Sequence, residues 1–373
     1  MENIGEKMQK HFNEKVVLNK YYYDFLEYYK KAKKVQEDCN LGGKPYIGSC
    51  GDSLIENVHI YDTVERKHAG FQNMLQDLWY GEDAPKYYKW TPEHKRRNIS
   101  YTLRGLRNRW DRETWLWVFM LHRITGSGAS FENDHGYRNT ILVDLAKFDN
   151  IDGMVDYLRR NIDIVMFTSI GNQIPMFPKK EQWDSLNNTN FIYPTAGKLW
   201  ICECMKELCQ DIWKFIDYTI DSENRSVNIR EIVDFMCEWN RSRGMKRFHF
   251  QFTATAADLA DYYPEYVEEY SHMYYGKNAK EAMDLFGKKI GRYKKDLYYD
   301  IIMEQANYDT GGKPLDLEDV MCDYIRWVEN YIPDNKLGTY SHLDKKKIWN
   351  SSFIVDHPKG RQRWKIGTDK WRW

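Results

Sequence analysis

No stretch of the 373-residue chain stays apolar for long. The longest uninterrupted run, Trp115 to Leu121, is seven residues, against about 20 for a helix that crosses a bilayer. A membrane-spanning segment is therefore not expected. The first fifteen residues are charged throughout and have no apolar core, so no secretory leader is expected, and the expected location is the cytoplasm. There is no excess of either charge: 55 Lys and Arg meet 55 Asp and Glu, which excludes a uniformly basic nucleic-acid binder but leaves local basic patches open. With 10 Pro and 23 Gly, neither a collagen-like nor a low-complexity disordered chain fits.

Cysteine is scarce and unpaired in pattern. The seven residues (39, 50, 202, 204, 209, 237 and 322) include no CxxC pair. No metal site is expected from them, and reduced, mostly buried thiols are the simpler reading. Several catalytic signatures are missing as well: no GxxxxGK[ST], GxGxxG, GxSxG, HExxH, HxE…PCxxC or DFG set occurs. P-loop NTPase, dinucleotide-fold, serine hydrolase, zinc protease, zinc deaminase and protein kinase chemistries all lack their parts.

Aromatic residues and helical periodicity are abundant. There are 28 Tyr, 16 Phe and 14 Trp, 16% of the chain, and 42% of residues are hydrophobic, enough for a packed core. Apolar positions recur at helical spacing over 199–219, 226–240 (with Ser226 as candidate cap) and 317–332 (with Asp316 as candidate cap). Further helices are predicted at 17–38, 54–80, 91–104, 112–124, 137–148, 152–162, 255–263 and 278–288. Alternation suited to a strand is limited to Arg247–Phe252 and Ile162–Thr168, neither followed by a partner hairpin. The fold expected is mainly α, with at most a small β element near 247–252. Residues 1–53 read as an N-terminal helical extension, 54–300 as the main helical domain, and 301–373 as a closing helix followed by a basic, Trp-rich tail. Residues 172–190 read as a long loop.

Three segments concentrate chemistry. The first is Thr125-Gly126-Ser127-Gly128-Ala129-Ser130-Phe131, followed by Glu132-Asn133-Asp134-His135-Gly136-Tyr137-Arg138-Asn139. Glycines flanking a serine after a helix let backbone N–H groups converge on an anion, and the next helix start would add more donors. The plainer alternative is a glycine helix stop and a connecting turn. The second runs from Lys86 to Arg112. Its cations include Arg96, Arg97, Arg104, Arg107 and Arg109, and Trp90 is among the aromatics between them. Cations with aromatic faces suit a nucleic-acid backbone and unstacked bases, whereas a solvated helix face is the alternative. The third comprises Arg247 to Asp258, where His249 and Gln251 would share a strand face, and Ser271 to Ala279, where Gly276, Lys277 and Asn278 read as a helix start able to receive phosphate. Tyr193 to Lys198 has a similar form.

The segments LHRITGSGASFENDHGYRNTILVDLAKF, FQFTATAADLADYYPEYV and SHMYYGKNAKEAMDLF resemble a bacteriophage family. It comprises the amino acid:DNA transferases, grouped with the α-glutamyl/putrescinyl thymine pyrophosphorylases of thymine hypermodification, and the resemblance spans roughly residues 60–300. It implies a helical architecture similar to DNA glycosylases. It also implies an enzyme of the phage-infected host cytoplasm, acting on DNA whose 5-hydroxymethyluracil carries a pyrophosphate. An amino acid or polyamine displaces that group. No kinase module accompanies these segments, so the activated base would come from another enzyme.

The chemistry of that reaction, rather than the family, then suggests roles. Gly126, Ser127, Gly128 and Ser130 with Arg138, and Lys277 in the second rank, would hold the pyrophosphate. His135 or Asp134 would take the proton of the incoming nucleophile. Arg96, Arg97, Arg104, Arg107, Arg109 and Trp90 would hold DNA around a flipped base, and His249, Gln251 and Lys198 rank behind these. No metal ligand set is expected; Mg2+ can chelate pyrophosphate, but no carboxylate pair stands out to hold it. A DNA glycosylase and a non-catalytic nucleic-acid-binding phage protein are the alternative readings.

Overall fold

The structure is a computed structural model that describes residues 15–42, 50–51, 55, 64–66, 73–80, 106–124, 142, 145–160, 196–247 and 249–331. In chain order its elements are β1 (Val16–Leu18), α1 (Lys20–Gly42), α2 (Asn73–Tyr80), α3 (Leu106–Arg109), α4 (Arg112–Ile124), α5 (Ile151–Arg160), α6 (Ala196–Glu203) and α7 (Met205–Glu223). There follow β2 (Val227–Asn228), α8 (Ile229–Ser242), α9 (His249–Tyr262), β3 (Val267–Glu268), α10 (Lys277–Phe286), β4 (Gly287–Lys289), α11 (Lys295–Thr310) and α12 (Pro314–Tyr331). The described residues are 73% helical. The protein is mainly α. Among the described residues no helix is long and apolar enough to cross a membrane.

The chain divides into two compact units. The described residues up to 66, with those from 275 onward, form the first. Its helices α1, α10, α11 and α12 pack on one another around rings that no single segment could bury alone. Phe25 lies 4.9 Å from Phe286 and 5.5 Å from Tyr324, and Tyr28 lies 5.4 Å from Tyr324. Each such ring contributes about 1.5–3 kcal/mol on burial. β1 pairs antiparallel with β4, Val17 opposite Lys288. At the end of that ladder, a Cβ on Gly287 would stand 2.5 Å from the Val17 carbonyl oxygen. The strands can close only because this residue has no side chain.

The second unit contains the described residues from 73 to 274. α4 lies against both α9 and α7, and α8 packs on α9 and α7, so the four helices close a ring. The reason is in the apolar run: Trp115 to Leu121 are buried all round the helix, which makes α4 a core helix and not an amphipathic one. Trp79 adds to this core, 4.7 Å from Trp115 and 4.9 Å from Tyr262, and Phe119 stacks on Tyr262 at 5.0 Å. α8 begins with a capping box: Asn228 accepts from the Glu231 N–H at 2.9 Å, and Glu231 accepts from the Asn228 N–H at 3.1 Å.

Several expectations need correction. Arg247–Phe252 does not form a strand. Helix α9 starts at His249, because Phe252, Ala256, Leu259 and Ala260 recur at helical spacing and are all buried. That period outweighs a few residues of alternation. On a helix, positions two apart diverge by about 200°, so His249 and Gln251 do not share a face. The cap of α8 is Asn228, not Ser226. Asp316 is no cap either: α12 starts at Pro314, whose fixed φ suits the first helical position. The single helix read over 199–219 is two, divided at Cys204. Residues 17 and 18, read as the start of a helix, are strand. The strand expected at Ile162–Thr168, the helix over 91–104 and the loop at 172–190 lie outside the described residues.

Candidate functional site

Helix α4 carries its apolar run to Leu121 and then places His122 and Arg123 in its last turn. Cations are favoured there by the helix dipole, yet both residues lie in the interior. His122 is fully buried, and the Arg123 side chain is 10% exposed. The guanidinium meets Asp258 of α9 in a two-pronged fork. Nε donates to Oδ2 at 2.5 Å, and a terminal nitrogen donates to Oδ1. Asp258 is 0% exposed. Placing two charges here is costly unless each answers the other, and the fork geometry meets that condition. Thr253, Thr255 and Asp261 on α9 are buried too. The last turn of α4 is therefore anchored to α9 by an ion pair.

Neither His122 nor the Arg123–Asp258 fork was singled out from sequence. The signal was present, however. His-Arg follows seven apolar residues, and Asp258 sits in Ala-Ala-Asp-Leu-Ala, so charged groups adjoin apolar residues in the chain. The fork joins the first two of the three segments that carry the family resemblance. The first four residues of the third, 271–274, are tied in beside α8. Ser271 accepts from the Ile229 N–H at 2.9 Å, Arg230 donates to the Met273 carbonyl at 3.0 Å, and the Tyr274 hydroxyl donates to Asp234 at 2.6 Å. Burial first, and the Asp234 carboxylate next, push the Tyr274 phenol up to about 12.

Gly126, Ser127, Gly128, Ser130, Asp134, His135, Arg138, Arg96, Arg97, Arg104 and Trp90 lie outside the described residues. His249 stands at the start of α9 with its ring 4.6 Å from that of Tyr274. Gln251 lies on the same helix and Lys198 on α6. Arg107 stacks on Trp79 at 5.2 Å. Arg109 donates to the carbonyls of Ala146 and Phe148 and pairs with Asp149 at 3.3 Å. Arg112, from the same basic stretch, forks onto Asp217 and lies 4.5 Å from the Trp213 ring. Each of the three makes a contact within its own unit, and Arg107 and Arg109 remain exposed.

Lys277 belongs to the first unit. It opens α10, but its side chain is 77% exposed and lies 3.9 Å from Glu281. The cap is Gly276, not Asn278, whose amide instead donates to the Cys322 sulfur at 3.2 Å. The Gly276 N–H donates to a buried Glu318 carboxyl oxygen at 2.9 Å. That one N–H therefore already has a partner within the chain. Burial, reinforced by the neighbouring Asp319, holds the Glu318 pKa well above the ordinary carboxylate range. Among the described residues no cluster of three His, Cys, Asp or Glu side chains is placed to hold a metal ion. Burial pushes the Cys204 thiol up to about 12, so it stays protonated and unreactive at neutrality. No family model, curated protein or solved structure matches the chain.

Proposed function

We propose that the protein is a DNA base-modifying transferase. It would replace the pyrophosphate of 5-(pyrophosphoryloxymethyl)uracil in DNA with an amino acid or polyamine. The observation that supports this reading is the buried Arg123–Asp258 fork. It fixes the last turn of α4, immediately before the Gly-Ser-Gly sequence, to the helix that carries the second motif segment, and backbone N–H groups that are to receive an anion need a rigid base.

The reaction balances with the residues at hand. An amine nitrogen attacks the exocyclic methylene carbon, a C–N bond forms, and the C–O bond to pyrophosphate breaks. The electron pair leaves with the pyrophosphate, which Gly126, Ser127, Gly128, Ser130 and Arg138 would hold. The amine proton passes to His135 or Asp134. Reaching that carbon requires the base to leave the helical stack.

The test is release of pyrophosphate from DNA bearing the activated base, with glycine, serine, glutamate and putrescine supplied in turn. Release that depends on the nucleophile, and is lost in Arg138→Ala and His135→Ala while DNA affinity stays within a few-fold, is expected. Normal turnover in both variants would remove the proposed site. Formation of abasic sites would favour a glycosylase instead.

A further inference from the structure

The described arginines of the 86–112 stretch make contacts within their own unit, and the first unit presents a second basic edge. β4 and the turn after it read Gly-Lys-Lys-Ile-Gly-Arg-Tyr-Lys-Lys over 287–295, five cations with no acid between them. In a chain of zero net charge, such a run is a local feature and not a sign of general basicity. Two of the five are occupied: Lys295 pairs with Asp284 at 2.8 Å, and Lys289 donates to the Tyr293 carbonyl and lies 4.3 Å from its ring. Lys288, Arg292 and Lys294 are exposed and make no ion pair with a described residue.

The turn that carries them is tied down. The Ile290 N–H donates to the Lys15 carbonyl at 2.6 Å, and the Tyr293 hydroxyl donates to the same oxygen at 2.7 Å. The β1–β4 ladder holds its base. The three cations are therefore displayed from a backbone that is already ordered, so less entropy is lost when they engage a ligand.

We infer that this edge, Lys288 of β4 with Arg292 and Lys294 of the β4–α11 turn, is a contact surface for the phosphodiester backbone of duplex DNA. The inference rests on the nucleic-acid substrate of the proposed function. Within a few residues it supplies two point charges and one guanidinium fork, the donor geometry that suits phosphate. An anionic lipid surface is the other polyanion to consider. Such binding draws on buried apolar area as well as charge, and the edge exposes only Val17 at 56% with Ile290 and Leu297 at 39% each. Phosphate contacts carry no sequence information, so this surface would add affinity and orientation without selecting the base.

The experiment compares the full-length chain with a Lys288→Gln/Arg292→Gln/Lys294→Gln variant, binding unmodified duplex DNA from 50 to 200 mM salt. A Lys30→Gln/Lys33→Gln/Lys34→Gln variant on exposed positions of α1 removes the same charge elsewhere. Each phosphate contact contributes about 0.9 to the slope of log affinity against log salt. The slope should therefore flatten by about two to three units in the first variant and not in the second, with thermal unfolding unchanged in both.

An unchanged slope overturns the inference, as does equal flattening in the two variants or no DNA binding by the parent chain. Loss of binding confined to phosphatidylserine/phosphatidylcholine vesicles overturns it in favour of a membrane contact. Flattening without any pyrophosphate release keeps the surface and removes the transferase. Nucleophile-dependent release with an unchanged slope does the reverse.

Discussion

Removal of the Asp258 carboxylate should be the most damaging small change in the second unit. Asp258 is 0% exposed, and the Arg123 side chain that it meets is 10% exposed. Asp258→Ala removes the fork partner of an interior guanidinium that can shed no proton and reach little water. Removing one partner of a buried pair costs about 3–5 kcal/mol, a large share of the ~5–15 kcal/mol that holds a domain together. Arg123→Ala should cost a similar amount, because the fork is then lost from a fully buried carboxylate. Arg123→Met with Asp258→Leu removes both charges at similar volume and should recover most of the loss. The assay is urea unfolding of the full chain followed by far-UV circular dichroism, read as the midpoint at constant slope. Single variants within about 1 kcal/mol of the parent would refute the claim that the pair is desolvated. A double variant as unstable as either single one would refute the claim that charge is the cause.

Other perturbations follow from geometry in the same way. Gly287→Ala forces a Cβ onto the Val17 carbonyl, and the required backbone shift should cost about 1–3 kcal/mol, measured as a lower thermal midpoint of the first unit; an unchanged midpoint would show that β1 and β4 are not held at this distance. The buried Glu318 gives that unit a pH dependence. Its folded pKa lies above its unfolded value, so its contribution is fully present at acid pH and is lost as pH rises through the folded value. Glu318→Gln should flatten the decline in stability above the ordinary carboxylate range, and a decline identical to the parent's would assign it to other groups. Asn228→Ala removes half of the α8 capping box and should cost about 1 kcal/mol by urea midpoint, with no effect expected on the first unit.

The sequence was most legible where apolar residues ran together without a break. The bounds of α4, 112–124, follow directly from a charged start at Arg112 and the apolar run behind it. α11 went unread because its buried residues, Tyr298 to Met303 and Ala306, surround the helix and include Asp300. No stripe marks it out, and only Gly311 in the left-handed region at φ 72° signals its end. The division at Cys204 was hidden for the opposite reason: the apolar spacing of Leu199, Cys202, Leu208 and Ile212 runs straight across it. Among site residues, sequence drew attention to exposed-looking chemistry such as Arg107, Arg109 and Lys277. It passed over Arg123 and Asp258, which lie 135 positions apart. Their pairing exists only once α4 and α9 are packed, so no local pattern could announce it.

The central claim concerns the fate of a single base, and mass spectrometry of nucleosides tests it most directly. Duplex DNA containing 5-(pyrophosphoryloxymethyl)uracil is incubated with the protein and each candidate nucleophile, then digested to nucleosides. A thymidine derivative heavier than thymidine by the added amine, formed together with free pyrophosphate, is the expected result. Recovery of only the hydrolysed 5-hydroxymethyl nucleoside or of abasic sites, with every nucleophile tried, would contradict the account.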